Sequence, residues 1–165
     1  MKVEILILFV IYIKVCSSCC PRITNNESEF LKRYGNEDFS LFYNTEIKLR
    51  GFDDGKSLIS ILRYDVNEEE NYQTYSLGIN NNLTCYPDEL DNKNCFIDLR
   101  AKSLAVHFKK YNLSYLHVDE DSNVMISLEK FEQFDMVKVK DSAKYFKSRK
   151  SNNFIKVKNN WYKRN

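Results

Sequence analysis

Short apolar segments of period two recur along most of the chain, and this alternation constrains the fold more than any other feature. Thr45, Ile47 and Leu49 alternate with Glu46, Lys48 and Arg50, which turns one side of an extended segment toward a core and the other toward solvent. Gly51-Phe52-Asp53-Asp54-Gly55 then has the residues of a turn, and residues 58–62 are apolar except for Ser60. Tyr75, Leu77 and Ile79 alternate with Ser76 and Gly78. Leu104, Val106 and Phe108 alternate with Ala105 and His107, and Val124, Ile126 and Leu128 with Met125 and Ser127. Residues 96–99, 116–118, 134–139 and 154–157 complete the strand candidates, and residues 80–94 read as a long polar loop. Many short strands separated by polar turns predict an all-β fold, an antiparallel β-sandwich or barrel. Two helices are expected beside it: residues 27–34, with Asn26 as cap and Gly35 as stop, and a segment around 141–150.

The N-terminus points to a compartment. Lys2 precedes an unbroken apolar run over residues 5–13. That length fits the core of a secretory signal peptide and falls well short of the ~20 apolar residues that cross a bilayer. Cys16, Ser17 and Ser18 supply small residues for cleavage after Ser18. Residues 1–18 are therefore read as a signal peptide and residues 19–165 as a single secreted, extracellular domain. No later segment is long and apolar enough for a stable membrane span. The mature chain keeps Cys19, Cys20, Cys85 and Cys95. An even number in an oxidising compartment favours disulfides, and four cysteines allow three connectivities. Cys85 with Cys95 is the first expectation, because they enclose a short polar stretch; the pairing of Cys19 and Cys20 stays open. Three N-glycosylation sequons, at Asn26, Asn82 and Asn112, fit the same compartment and require surface positions.

Charge is unevenly spread. The basic C-terminal segment 138–165 carries ten Lys or Arg against one acid, Asp141, a net +9. The segment 19–137 carries a net −8, so the mature chain stands at +1. Such a basic segment attracts polyanions or simply serves as a solvated face. No nucleic-acid partner is expected.

A catalytic constellation is not found. The two histidines, His107 and His117, stand in no compact cluster of metal ligands, and an exposed turn is the expected setting of His117 with Asp119 and Glu120. There is no nucleophile elbow and no glycine-rich phosphate loop among four glycines. The chain is therefore read as a binding protein rather than an enzyme, without cofactor or metal.

One stretch goes further. Gly51-Phe52-Asp53-Asp54-Gly55-Lys56-Ser57-Leu58-Ile59 resembles the strand-turn-strand signature of the galectins, which carry a Gly-aliphatic-x-x-Gly-x-Ser-Leu run. Residues 72–80 resemble the strand that follows, and Ser103-Leu104-Ala105-Val106-His107-Phe108 resembles the family's Asp-Ile-Ala-Leu-His-Phe strand. The resemblance covers residues 42–118, with residues 81–95 as an insertion. It implies a galectin-like, jelly-roll sandwich whose concave sheet binds β-galactosides. In the family a His-x-Asn-Pro-Arg motif hydrogen-bonds the sugar. His107 matches its histidine, whereas Lys109, Lys110 and Tyr111 stand where Asn, Pro and Arg would be. The family's Trp-x-x-Glu has no counterpart, the single Trp161 being close to the C-terminus. If residues 104–108 are a strand, His107 and Lys109 share its outer face. The resulting expectation is a carbohydrate-binding lectin domain using His107 and Lys109, with glycans or glycoproteins as partners, anionic ones favoured by the lysines. The alternative is a secreted effector or signalling module that keeps the scaffold, has lost the sugar and binds an extracellular protein.

Overall fold

The computed structural model describes residues 25–64, 72–86, 95, 97–129, 134–149 and 153–164. The expected signal peptide, Cys19 and Cys20 lie outside the described residues. Nine strands, β1 (Thr45–Asp53), β2 (Lys56–Arg63), β3 (Gln73–Leu77), β4 (Leu83–Cys85), β5 (Tyr115–Val118), β6 (Val124–Ser127), β7 (Met136–Lys138), β8 (Phe154–Lys158) and β9 (Trp161–Arg164), form one sheet. Its order is β4-β3-β2-β1-β5-β6-β7-β9-β8, and every pair is antiparallel. Among the described residues three α-helices accompany it: α1 (Asn25–Tyr34), α2 (Leu99–Tyr111) and α3 (Ser142–Arg149).

The β1–β2 hairpin shows how local sequence sets register. Asp54 and Gly55 both have positive φ, +45° and +73°, the two-residue turn that Asp-Gly favours because its twist matches that of the flanking strands. Asp53 therefore pairs with Lys56, and a bulge between Leu49 and Gly51 re-aims the distal end. Alternate residues on one face, among them Ile47, Ile59, Tyr75, Leu116, Ile126, Met136 and Trp161, form the main core. Phe30 and Leu31 of α1 and Ala101, Leu104, Ala105, Phe108 and Tyr111 of α2 pack onto them. The layer over this face is thus helical, lying where the expected galectin-like sandwich would stack a second sheet. The opposite face carries a smaller core, Tyr115, Met125, Val137 and Val139, covered by Tyr145 and Phe146 of α3.

Two expected strands are corrected. Residues 104–108 belong to α2. Ala101, Leu104, Ala105, Phe108 and Tyr111 are its buried positions, a helical spacing that alternation over five residues cannot distinguish from a strand. The helix is closed at both ends. The Asp98 side chain accepts from the Ala101 N–H, and Asn112 terminates it in the left-handed region at φ 52°. In the expected strand 96–99, Phe96 lies outside the described residues, while Asp98 is this cap and Leu99 opens the helix. Arg63, at the end of β2, forms an ion pair with Asp98 at 2.5 Å, which fixes the start of α2 to the sheet. Asn26 does not cap α1; it lies within its first turn and donates to Glu129.

Two strands went unforeseen. β4 falls inside the expected polar loop 80–94, and β9 ends the chain's described part. The basic segment is consequently part of the fold: it supplies the last residue of β7 and all of α3, β8 and β9, and Trp161 is fully buried.

Candidate ligand-binding site

On the face opposite α1 and α2, the outward positions of β1 and β5 bring charged and aromatic groups together. Glu46 pairs across the strands with His117, and Lys48 with Tyr115. Because Ile47, Leu116 and Val118 are committed to the core, alternation leaves Glu46, Lys48, Tyr115 and His117 no other side. Tyr64, directly after β2, and Tyr72, directly before β3, close the group from the next two strands.

Hydrogen bonds join Glu46, Lys48, Tyr64 and Tyr72 into one network, with His117 and Tyr115 beside it. The Glu46 carboxylate accepts from the Tyr72 hydroxyl at 2.5 Å and from the Tyr64 hydroxyl at 3.0 Å. Lys48 Nζ lies 2.8 Å from Glu46 Oε1 and donates to the Tyr72 hydroxyl at 2.6 Å. It also sits over the Tyr72 ring, 4.4 Å from the centroid. His117 Nδ1 is 3.9 Å from Glu46 Oε2, and its ring meets that of Tyr64 edge to face. The Glu46 side chain is only 12% exposed, whereas Tyr64 and Tyr72 are each 37% exposed. The carboxylate therefore forms the floor and the two tyrosines the accessible rim.

Burial alone raises the Glu46 pKa, but the hydrogen bonds from Lys48, Tyr72 and Tyr64 outweigh it and hold the carboxyl below its usual value. Burial, reinforced by the Glu46 charge, pushes the Tyr115 hydroxyl up, so it stays protonated. The site presents a carboxylate, a lysine amine, phenol hydroxyls and aromatic faces. That set can exchange hydrogen bonds with a polyhydroxylated ligand and pack on its apolar C–H faces.

The residues expected from sequence to hold a ligand are elsewhere. His107 is exposed on α2, with Nδ1 2.8 Å from the Ser103 carbonyl. Lys109 donates to the Gly78 carbonyl at 3.3 Å. Two residues apart on a helix they diverge by about 200°, so the shared face expected of a strand is not formed. Cys85 and Cys95 are disulfide-bonded, with Cα atoms 6.1 Å apart. Asn26, Asn82 and Asn112 are all exposed. His117 points at Glu46 rather than at the Asp119-Glu120 turn, and no group of three or more metal-ligating side chains occurs among the described residues. No described helix is long and apolar enough to cross a membrane. Glu46, Lys48, Tyr64, Tyr72 and Tyr115 carry no motif. The signal that could have found them is that the outward residues of two sequence-distant strands include an acid, a base and aromatics, which becomes a site only once β1 is known to pair with β5.

No protein-family model, curated protein or solved structure matches this chain, and none identifies a galectin-like domain.

Proposed function

We propose that this protein is a secreted, non-enzymatic binding module that takes a glycan on the sheet face formed by Glu46, Lys48, Tyr64, Tyr72 and His117. The observation that carries this reading is the recessed Glu46 carboxylate between two partly exposed tyrosines. A sugar leaves water only where its hydroxyls regain their hydrogen bonds, each unmade one costing about 1–3 kcal/mol. A recessed carboxylate that holds two phenol hydroxyls and a lysine amine in place offers such partners at its rim, and the tyrosine rings offer the apolar contact. The galectin resemblance is a weaker precedent, because residues 103–108, which carry part of it, are helical here, and the reading does not depend on it. A second reading, an extracellular protein partner, is favoured by the edge strand β8, where Ile155 and Val157 are exposed.

The test is a glycan-array screen of the secreted protein at moderate and high salt, with Glu46→Gln, Tyr72→Ala and His107→Ala variants. Salt-resistant binding that falls at least tenfold in the first two variants and is unchanged in the third supports the site. A blank array, or binding that survives Glu46→Gln and Tyr72→Ala, overturns it.

A further inference from the structure

The three sequons are far apart in sequence, yet the sheet register gathers their asparagines at one end of the molecule. Thr45, Arg63, Val118, Val124, Lys138 and Trp161 lie on one level across the sheet, because Thr45 pairs with Arg63 and Val118, Val118 with Val124, Val124 with Lys138 and Lys138 with Trp161. Call this the upper end. At the lower end Leu77 pairs with Leu83, and the turn that joins them carries Asn82. Asn112 ends α2 and leads into Ser114, whose carbonyl accepts from the Leu49 N–H four residues below Thr45. Asn26 donates to Glu129 at 3.3 Å, just beyond the lower end of β6. Asn26 and Asn112 also line the same cleft, about 230 Å³, together with Arg33, Tyr34 and Lys110. Asparagines at the upper end, Asn44, Asn123 and Asn159, belong to no sequon.

We propose that Asn26, Asn82 and Asn112 carry N-glycans that coat the lower end of the molecule and leave the upper end, where Tyr64 and Tyr72 flank the Glu46 site, bare. The proposal rests on the secretory part of the reading above, since the modification occurs only after entry into that pathway. In each case Asn Nδ2 forms a bond to the anomeric carbon of an oligosaccharide carried on a lipid diphosphate. The sugar–phosphate C–O bond breaks, the lipid diphosphate leaves, and Nδ2 gives up one proton to the transferase. All three side chains are exposed, so the folded domain accommodates the product. The hydroxyl of the third sequon is not accessible after folding. Ser114 is buried and its Oγ donates to the Ser127 carbonyl at 3.1 Å. Transfer to Asn112 therefore precedes closure of β5 against β6.

The test expresses the full chain in secreting eukaryotic cells beside a second version in which a heterologous leader replaces residues 1–18. Each is mapped by mass spectrometry after release of the glycans by an amidase that leaves Asp at every occupied site. Hydroxyl-radical footprinting before and after release reads which end is covered. Occupancy of all three sites, with protection of Ile79, beside Asn82, and of Tyr34 lost on release and Tyr64 and Tyr72 unchanged, supports the proposal. Occupancy only behind the heterologous leader supports it while overturning the native leader. Unmodified asparagines behind the heterologous leader, or equal protection at Tyr64 and Tyr72, overturn the proposal and leave the glycan-binding reading to its own array.

Discussion

Removing the Trp161 side chain tests whether the basic C-terminal segment is structural or a detachable polyanion-binding tail. Trp161 is fully buried and its Nε1 donates to the Gly35 carbonyl at 2.8 Å. It meets Phe30 and Phe39 edge to face at 5.8 and 6.2 Å, which locks α1 onto β9. Truncating a buried tryptophan to alanine costs about 3–5 kcal/mol, and the abandoned carbonyl adds about 1–3 kcal/mol. The expected total, about 4–8 kcal/mol, is a large share of the 5–15 kcal/mol typical of a domain. Trp161→Phe keeps most of the ring and should cost about 1–3 kcal/mol. With a urea slope of about 2 kcal/mol/M, Trp161→Ala shifts the midpoint by about 2–4 M. Circular dichroism is the appropriate probe, because Trp161 is the only tryptophan and the variant removes the fluorophore. The exposed pair Lys147→Ala and Lys156→Ala, which lowers the same segment's charge, should leave the midpoint within about 0.3 M. A shift below about 0.5 M for Trp161→Ala, or an equal shift for the lysine pair, refutes the reasoning.

Three further outcomes follow from the same structure. Glu46 and Asp98 both have depressed pKa values: burial opposes this, but for Glu46 the Lys48 bond, and for Asp98 the bond from the Ala101 N–H with Arg63, prevails. Their stabilisation is present above the unfolded values, ordinarily 4.5 and 3.8, and is lost as pH falls through the lower folded values. The melting temperature should be level down to about pH 5 and then drop; Glu46→Gln should flatten part of that drop, and an unaltered acid limb would contradict the network. Opening the ten-residue Cys85–Cys95 span by Cys85→Ser with Cys95→Ser should cost about 3 kcal/mol, read as a lower urea midpoint. Asp98→Ala should cost about 1 kcal/mol from the lost helix cap and more from the stranded Arg63, whereas Asp98→Asn should recover the cap; thermal melts of the pair separate the two contributions.

How much was legible depended on whether a feature is local. The alternation at residues 45–50 became β1 because nothing else can be made of an apolar-polar repeat beside an Asp-Gly turn. The helices expected over residues 27–34 and around 141–150 appear as α1 and α3 for the same local reason. The same logic failed at residues 104–108, where Leu104, Val106 and Phe108 satisfy period two and the longer pattern from Ala101 to Tyr111 satisfies the helical one. The error carried His107 and Lys109 with it, since two residues share a strand face but not a helix face.

The sequence by itself determined where most strands lie, the β-rich class and the three acceptor triplets, and favoured the Cys85–Cys95 pairing among three, because each depends on neighbours within about a dozen residues. Only the tertiary structure decided that nine strands join one sheet and that α1 and α2 cover its main core. It alone made the basic segment part of the fold through Trp161, and set Glu46 beside His117 and Lys48 beside Tyr115. Those outcomes depend on β1 pairing with β5 across some seventy residues, and such a pairing is chosen by the burial it completes over the whole core rather than by any residue in either strand.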